Sequence, residues 1–215
     1  MGTHMYSEQG INNTINISTT SLTNATQLTV IGNNNSVYIG NNCKIVSSNI
    51  RLKGNNITLF IADDVENMGL VCSLHSDCSL QIQAKTTMGN GEITIAEKGK
   101  ISIGKDCMLA HGYEIRNTDM HPIYSLENGE RINHGKDVII GNHVWLGRNV
   151  TILKGVCIPN NVVVGSHTVL YKSFKEPNCV IAGSPAKIVK ENIVWGRKMY
   201  HSTMYDDPTL NEFYK

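Results

Sequence analysis

The sequence predicts an all-β fold, a parallel β-helix of stacked short coils, and three observations predict it. The first is composition. The 215 residues include 24 Ile, 16 Val, 24 Asn and 19 Gly, while 17% are charged and 6% are aromatic. Ile and Val suit strands, Asn and Gly suit turns with positive φ, and a helical bundle would instead be rich in Ala, Leu, Glu and Lys. The second is a six-residue period, with apolar residues at Ile140, Leu146, Ile152, Ile158, Val164 and Leu170. Four residues after each of the first five come Val144, Val150, Val156, Val162 and Thr168. Six is not a helical period, and each apolar pair fits one strand-turn unit. The third is the position after each first apolar residue, Gly141, Gly147, Leu153, Pro159, Gly165 and Tyr171. Glycine there suits a corner where the backbone turns sharply. Strand-turn units that stack their apolar positions inward build a β-helix.

Fainter copies extend the pattern upstream: Ile39-Gly40 with Cys43, Ile61-Ala62 with Val65, Ile95-Ala96, Ile103-Gly104 with Cys107, and Leu109-Ala110. Cys43 and Cys107 take the fourth-after position, a packing role. The N-terminal third, with Asn33-Asn34-Asn35, Asn41-Asn42 and Asn55-Asn56, reads as the same coil with irregular corners. Two segments break the period. Residues 116–137 are polar and contain Pro122, Gly129 and Gly135. Continuing the phase from Ile103, Leu109 and Ile115 would put His121 in the core, and the hexads resume at Ile140 one residue out of phase. This stretch is therefore an extruded loop, where function usually sits. The second break follows Leu170 and ends in Ala182-Gly183-Ser184-Pro185-Ala186-Lys187. Beyond it, Ile193, Val194 and Trp195 have helix-like spacing. The organisation expected is a tag remnant at 1–5, a β-helix domain at 6–189 and a C-terminal extension at 190–215 with a short helix.

A net charge of +1 offers nothing to neutralise nucleic-acid phosphates. No apolar run approaches ~18 residues, so no membrane span is expected. Tyr6 to Asn16 lacks the apolar core of a signal peptide. The six cysteines, Cys43, Cys72, Cys78, Cys107, Cys157 and Cys179, show no CxxC spacing and read as reduced core thiols. A cytoplasmic location is the expectation. With three hexads per turn, residues eighteen apart stack on neighbouring coils about 4.8 Å apart. Trp145 then lies below Val163, Leu153 below Tyr171 and Thr151 below Val169. Such an outward apolar surface implies an oligomer interface or a ligand wall, and a groove between subunits satisfies both.

The run Ile140-Gly-Asn-His-Val-Trp145-Leu-Gly147, the hexads after it and Ala182-Gly-Ser-Pro-Ala-Lys187 resemble the hexapeptide-repeat acyltransferases, clearly over residues 95–190. Asn117-Thr-Asp-Met-His121-Pro-Ile and the extension from Trp195 to Lys215 are similar to the bacterial capsular sialic-acid O-acetyltransferases. The resemblance implies a left-handed β-helix, a homotrimer, acetyl-CoA as acyl donor in a groove between neighbouring prisms, no metal, and a sialic-acid-containing capsular polysaccharide as acceptor. It implies His121 as the catalytic base and Trp145 as a wall of the site, with a backbone amide near that corner meeting the oxyanion. It maps coenzyme A binding onto Arg148, Ser166, Tyr171, Lys172, Lys187 and Lys190. Arg148 and Tyr171 depart from the family's smaller residues, and Tyr171 would gate the thioester.

An anionic acceptor favours nearby cations, for which Arg116, Arg131 and Lys136 are the candidates, and His111 stands near a coil corner where it would line the site. His143 and His167 fall at mid-hexad corners, where solvated turn residues are expected. His134 shares the loop but has no motif around it. Trp195 reads as a packing residue of the tail. A metal-dependent hydratase on the same coil needs converging histidines with a pair five apart, and no such pair exists. A non-catalytic scaffold would need neither a His-Pro loop nor an outward Trp. Another sugar or a xenobiotic is the alternative acceptor.

Overall fold

The structure, a computed structural model, describes residues 5–199, 203–208 and 210. The chain winds as a three-sided prism, and each coil adds a strand to each face in turn. Among the described residues, face 1 comprises eight strands from Met5–Gln9 to Val169–Leu170, and face 2 seven from Thr14–Ile17 to Cys157–Ile158. Face 3 comprises eight, from Lys44–Val46 to Lys187–Lys190. Pairing is parallel except at the last pair, Val180–Ala182 with Lys187–Lys190.

The periodic apolar residues are the core. Ile140, Leu146, Ile152, Ile158, Val164 and Leu170 are all buried, as are Val144, Val150, Val156, Val162 and Thr168. The fainter upstream copies also point inward, with Ile39, Cys43, Ile61, Val65, Ile95, Ile103, Cys107 and Leu109 buried. The alternation of side chains along each short strand sends every second residue inward, which is why so few residues per strand suffice.

Coil length was not uniform, as a pure hexapeptide reading would have it. Register partners are 22 residues apart near the N-terminus (Gln27 opposite Asn49) and 21 in the middle (Thr87 opposite Met108). They are 18 apart only in the late coils (Trp145 opposite Val163). The extra residues lengthen strands on faces 1 and 2. Gln27–Ile31 has five residues where Thr151–Ile152 on the same face has two.

The asparagine-rich corners are regular, correcting the expectation of irregular ones. Asn34, Asn56 and Asp77 stack at one corner, each with φ of 58°. Asn and Asp enter this left-handed region at lower cost than other side chains. Their side chains form a ladder along the prism: Asn12 Nδ2 donates to Asn34 Oδ1 at 3.4 Å, and Asn56 Nδ2 to Asp77 Oδ1 at 2.9 Å.

Two further expectations need correction. The C-terminal extension does not open in a helix. Lys187–Lys190 pairs back on Val180–Ala182, residues 191–199 are irregular, and among the described residues helical conformation is confined to 3-10 turns at Met204–Asp206 and at Pro208 and Leu210. Ile193 and Trp195 are held by contacts to the prism instead of by helical bonds, and Gly196 weakens any helix there. Tyr200 to Ser202, Thr209 and residues 211–215 lie outside the described residues. All six cysteines are free, but Cys157 is exposed on face 2, while the other five are buried. Burial pushes the Cys107 thiol up to about 11.

Gly32 gives a test of the corner geometry. Its φ is 120°, and a Cβ there would lie 1.9 Å from the Gly54 carbonyl oxygen of the next coil. Gly32→Ala is expected to lower stability by about 3 kcal/mol, read by urea unfolding. Unchanged stability would show that the corner accommodates a side chain.

Candidate active site

The extruded loop leaves face 1 after Arg116 and rejoins face 2 at Val138. It lengthens the spacing between register partners to 37 residues, as in Glu114 opposite Thr151, yet the strands on either side stay in register. A single carboxylate anchors it. Glu97, at the same prism corner, accepts from Thr118 Oγ1 at 2.5 Å, Arg131 Nη2 at 2.7 Å and the Gly135 amide at 3.0 Å. The hydrogen bonds from Thr118 and Arg131 hold its carboxyl down at about 2.

A second hub fixes the turn that carries His121. Asn133 is buried and donates from Nδ2 to Asp119 Oδ2 at 2.9 Å and to the His121 carbonyl at 2.8 Å. Its Oδ1 accepts from the Ile123 amide at 2.7 Å. Lys154, from the following coil, donates to Asp119 Oδ2 at 2.5 Å and to the Asn133 carbonyl at 2.7 Å. The Lys154 ammonium lowers the Asp119 carboxyl below its ordinary value. The backbone of His121 is thus tied on both sides, its amide donating to the Asp119 carbonyl, while the residue itself is exposed. Polar satisfaction of this kind is what fixes an irregular segment in one shape. Sequence reading missed Glu97, Asn133 and Lys154, because each acts through contacts across coils that no local motif encodes.

Trp145 lies on face 3, between Met108 on the preceding coil and Val163 on the following one, and is outward and partly exposed. The loop leaves at the opposite corner, between faces 1 and 2. No hydrogen bond or ion pair among the described residues joins Trp145 to the loop, so one chain does not bring His121 and Trp145 together. The amides of His143, Trp145, Gly147, Arg148 and Asn149 are all spent on neighbouring coils.

The remaining predicted residues divide into three places. Arg148 and Ser166 stack at the corner between faces 3 and 1, where the Arg148 amide donates to Ser166 Oγ at 3.1 Å. Tyr171 and Lys172 follow the last strand of face 1, and Lys187 and Lys190 lie on the strand that closes face 3. All six are exposed. Among the described residues, Arg148, Lys172, Lys187 and Lys190 form no ion pair, so these cations remain available to phosphates.

The acceptor candidates fare differently. Arg131 is committed to Glu97 and Asn133 as part of the loop anchor, and Arg116 pairs with Glu114, so neither is a free cation. Lys136 is exposed, and His111 is exposed with Nδ1 2.6 Å from Asn90 Oδ1. His143 is buried, not solvated: it contacts Asp106 and Trp195. His134 and His167 are exposed. Among the described residues, no three His, Cys, Asp or Glu side chains group to hold a metal ion, and no helix is long and apolar enough to cross a membrane.

The anchor has a pH signature. A carboxyl held down at about 2, against its ordinary 4.5, stabilises the docked loop fully above 4.5 and loses that contribution as pH falls towards 2. Hydrogen exchange of residues 117–137 is expected to accelerate on acidification through this window in the wild type. In Glu97→Gln it is expected to be faster already at neutral pH and to lose that acid dependence. Equal protection in the two proteins at pH 7 would refute the anchor.

Residues 137–172 match the family model described as bacterial transferase hexapeptide (six repeats). Over 133 residues, 62% of this chain, the sequence is 43% identical to a polysialic acid O-acetyltransferase of Escherichia coli O1:K1 / APEC. The match covers 43% of that protein, so the chain spans less than half the length of this curated relative. The crystal structure of the polySia-specific acetyltransferase NeuO superposes with a TM-score of 0.89 at 28% identity, covering 98% of this chain and 96% of that one. A galactoside acetyltransferase solved with coenzyme A aligns more loosely, at a TM-score of 0.40 and 24% identity over 60% of this chain and 64% of that chain. The late coils thus carry the bacterial transferase hexapeptide repeat, within a β-helix shared over nearly its whole length with a polySia-specific acetyltransferase.

Proposed function

We propose that the protein is an O-acetyltransferase that moves the acetyl group of acetyl-CoA to a hydroxyl of sialic acid in a capsular polysaccharide. The observation that carries this reading is the likeness to the polySia-specific enzyme along almost the entire chain. The curated relative, a polysialic acid O-acetyltransferase, supports the same acceptor.

In this reading His121 is the general base. Histidine suits the task because its ordinary pKa lies near neutrality. The latched loop presents it at a fixed place, and its imidazole takes the acceptor hydroxyl's proton as the oxygen attacks the thioester carbonyl. The carbon–sulfur bond then breaks, and the proton passes to the departing thiolate, giving the acetyl ester and free coenzyme A. Trp145 walls the reacting groups. Arg148, Lys172, Lys187 and Lys190, exposed and free of carboxylate partners, fit the phosphates of coenzyme A. Ser166 and Tyr171 flank its pantetheine arm, with Tyr171 gating the thioester. Lys136 and His111 remain the candidates for contact with the acceptor.

His121 and Trp145 lie on different sides of the prism, so a site using both is completed by a neighbouring copy. This supports a homotrimer with its sites between subunits. The free cysteines accord with a cytoplasmic location.

Thiol release from acetyl-CoA, measured against sialic acids, polysialic polymers, neutral sugars and amino-sugar acceptors, tests the reading. Turnover is expected with the sialic-acid acceptors, and turnover only with neutral sugars would reassign the acceptor. His121→Ala is expected to lower kcat by about 10²–10⁴-fold with the oligomer intact. Near-normal turnover in that variant would remove His121 from the mechanism. The double variant Lys187→Ala/Lys190→Ala is expected to raise KM for acetyl-CoA roughly tenfold with little change in kcat, and an unchanged KM would remove these lysines from the cosubstrate site.

A further inference from the structure

Residues 191–199 form a strap that runs back along the corner between faces 2 and 3, against the winding of the coils. The Ile193 amide donates to the Asn178 carbonyl, Trp195 reaches His143, and Arg197 reaches Asp106 and Lys85. Asn178, Asn161, His143, Asp106 and Lys85 are successive residues with positive φ at that corner, and the strap reaches all but Asn161 through the bonds named. The strap therefore crosses coils that are distant in sequence, and its hold on them comes from side chains.

The central contact is reciprocal. The Trp195 indole lies on the His143 imidazole with ring centroids 4.1 Å apart and planes at 14°. Trp195 Nε1 donates to the His143 carbonyl at 2.9 Å, and His143 Nε2 donates to the Trp195 carbonyl at 2.9 Å. His143 Nδ1 lies 2.7 Å from Asp106 Oδ2, so the ring is held at both nitrogens. Asp106 Oδ1 accepts from Arg197 Nε at 2.8 Å, and the same guanidinium donates to Thr87 Oγ1 at 2.9 Å and to the Cys107 carbonyl at 2.7 Å. Such a network fixes one arrangement more firmly than isolated contacts do.

Beyond this clamp stands the active-site wall. The Trp195 ring packs against Trp145, with centroids 5.9 Å apart and planes tilted by 44°. Along face 3 an outward Trp145 has neighbours only above and below it in the ladder, which leaves its χ angles a choice of rotamers. Trp195 supplies the missing side contact, and the clamp keeps Trp195 in place.

We propose that His143 and Trp195 are positioning residues, and that the clamped strap sets the orientation of the Trp145 ring for acetyl transfer. This rests on the reading of Trp145 as a wall of the active site. Neither residue touches the reacting groups; both act through Trp145.

The chain holds two tryptophans, Trp145 and Trp195, so their coupled near-ultraviolet circular dichroism reports the packing directly. His143→Asn is the informative variant, since Asn tolerates the left-handed backbone at this corner but cannot replace the ring stack. It is expected to lose most of the tryptophan couplet and to lower kcat roughly tenfold to hundredfold, with KM for acetyl-CoA within about twofold and far-ultraviolet signal retained. Trp195→Phe, which keeps an aromatic contact, is expected to retain more activity than Trp195→Ala. A retained couplet in His143→Asn would show that His143 does not pin the strap. A lost couplet with unchanged kcat would overturn the positioning role alone. A wild-type protein that turns over no acetyl-CoA with any acceptor would instead overturn the acetyltransferase reading, and the positioning role with it. Should His143→Asn not fold, the comparison of Trp195→Phe with Trp195→Ala decides, and equal activities there refute the proposal.

Discussion

The whole molecule depends on in-register stacking of coils with a left-handed residue at most corners. A strand of two to six residues buries too little to stand alone; stacked on identical neighbours, each coil closes the core of the next. The corner is the demanding part. It needs positive φ from residues that are mostly not glycine, and Asn and Asp supply it at modest cost. At some corners their side chains then bond to the coil beside them, so the strain of one turn is offset by contact with the next. This is why the chain combines abundant β-branched residues with abundant asparagine and few charges.

The same rigidity lets function be attached without disturbing the frame. The loop of residues 117–137 interrupts a coil, yet the strands before and after it keep the register of an uninterrupted prism. What an extruded segment lacks in core packing it must recover through polar contacts. Glu97, Asn133 and Lys154 do this from three different parts of the chain, and the outcome is one shape for the turn that bears His121. The C-terminal strap follows the same logic at another corner, with Asp106 shared between His143 and Arg197. There burial raises the Asp106 carboxyl, but the hydrogen bonds from His143 and Arg197 outweigh it and leave the group below its ordinary value.

The sequence carried the architecture because the core positions recur with a fixed period. Ile140 to Leu170 reveal both the inward face and the outward position of Trp145 by counting alone. The loop was legible for the same reason, since His121 could not occupy the core position to which the phase assigned it. Legibility failed where contacts join residues unrelated by the period. His143 looks like any corner residue, and only the strap folding back makes it buried. Arg131 looks like a free cation on the extruded loop, and only Glu97, 34 residues away, shows it to be a structural tie. The early coils escaped an eighteen-residue count because their strands are longer while their inward residues still alternate.

The shrinking coils have a geometric consequence for anything that packs alongside. Four fewer residues per turn remove about 13 Å of perimeter between the first coils and the last. The loss falls on faces 1 and 2, while face 3 keeps strands of two or three residues for most of its length. The molecule is thus a wedge with one even side. Copies set with parallel axes would meet at the broad end and part at the narrow one. Contact along the late coils would require the axes to lean together, so strand length would set the angle at which any two copies could pack.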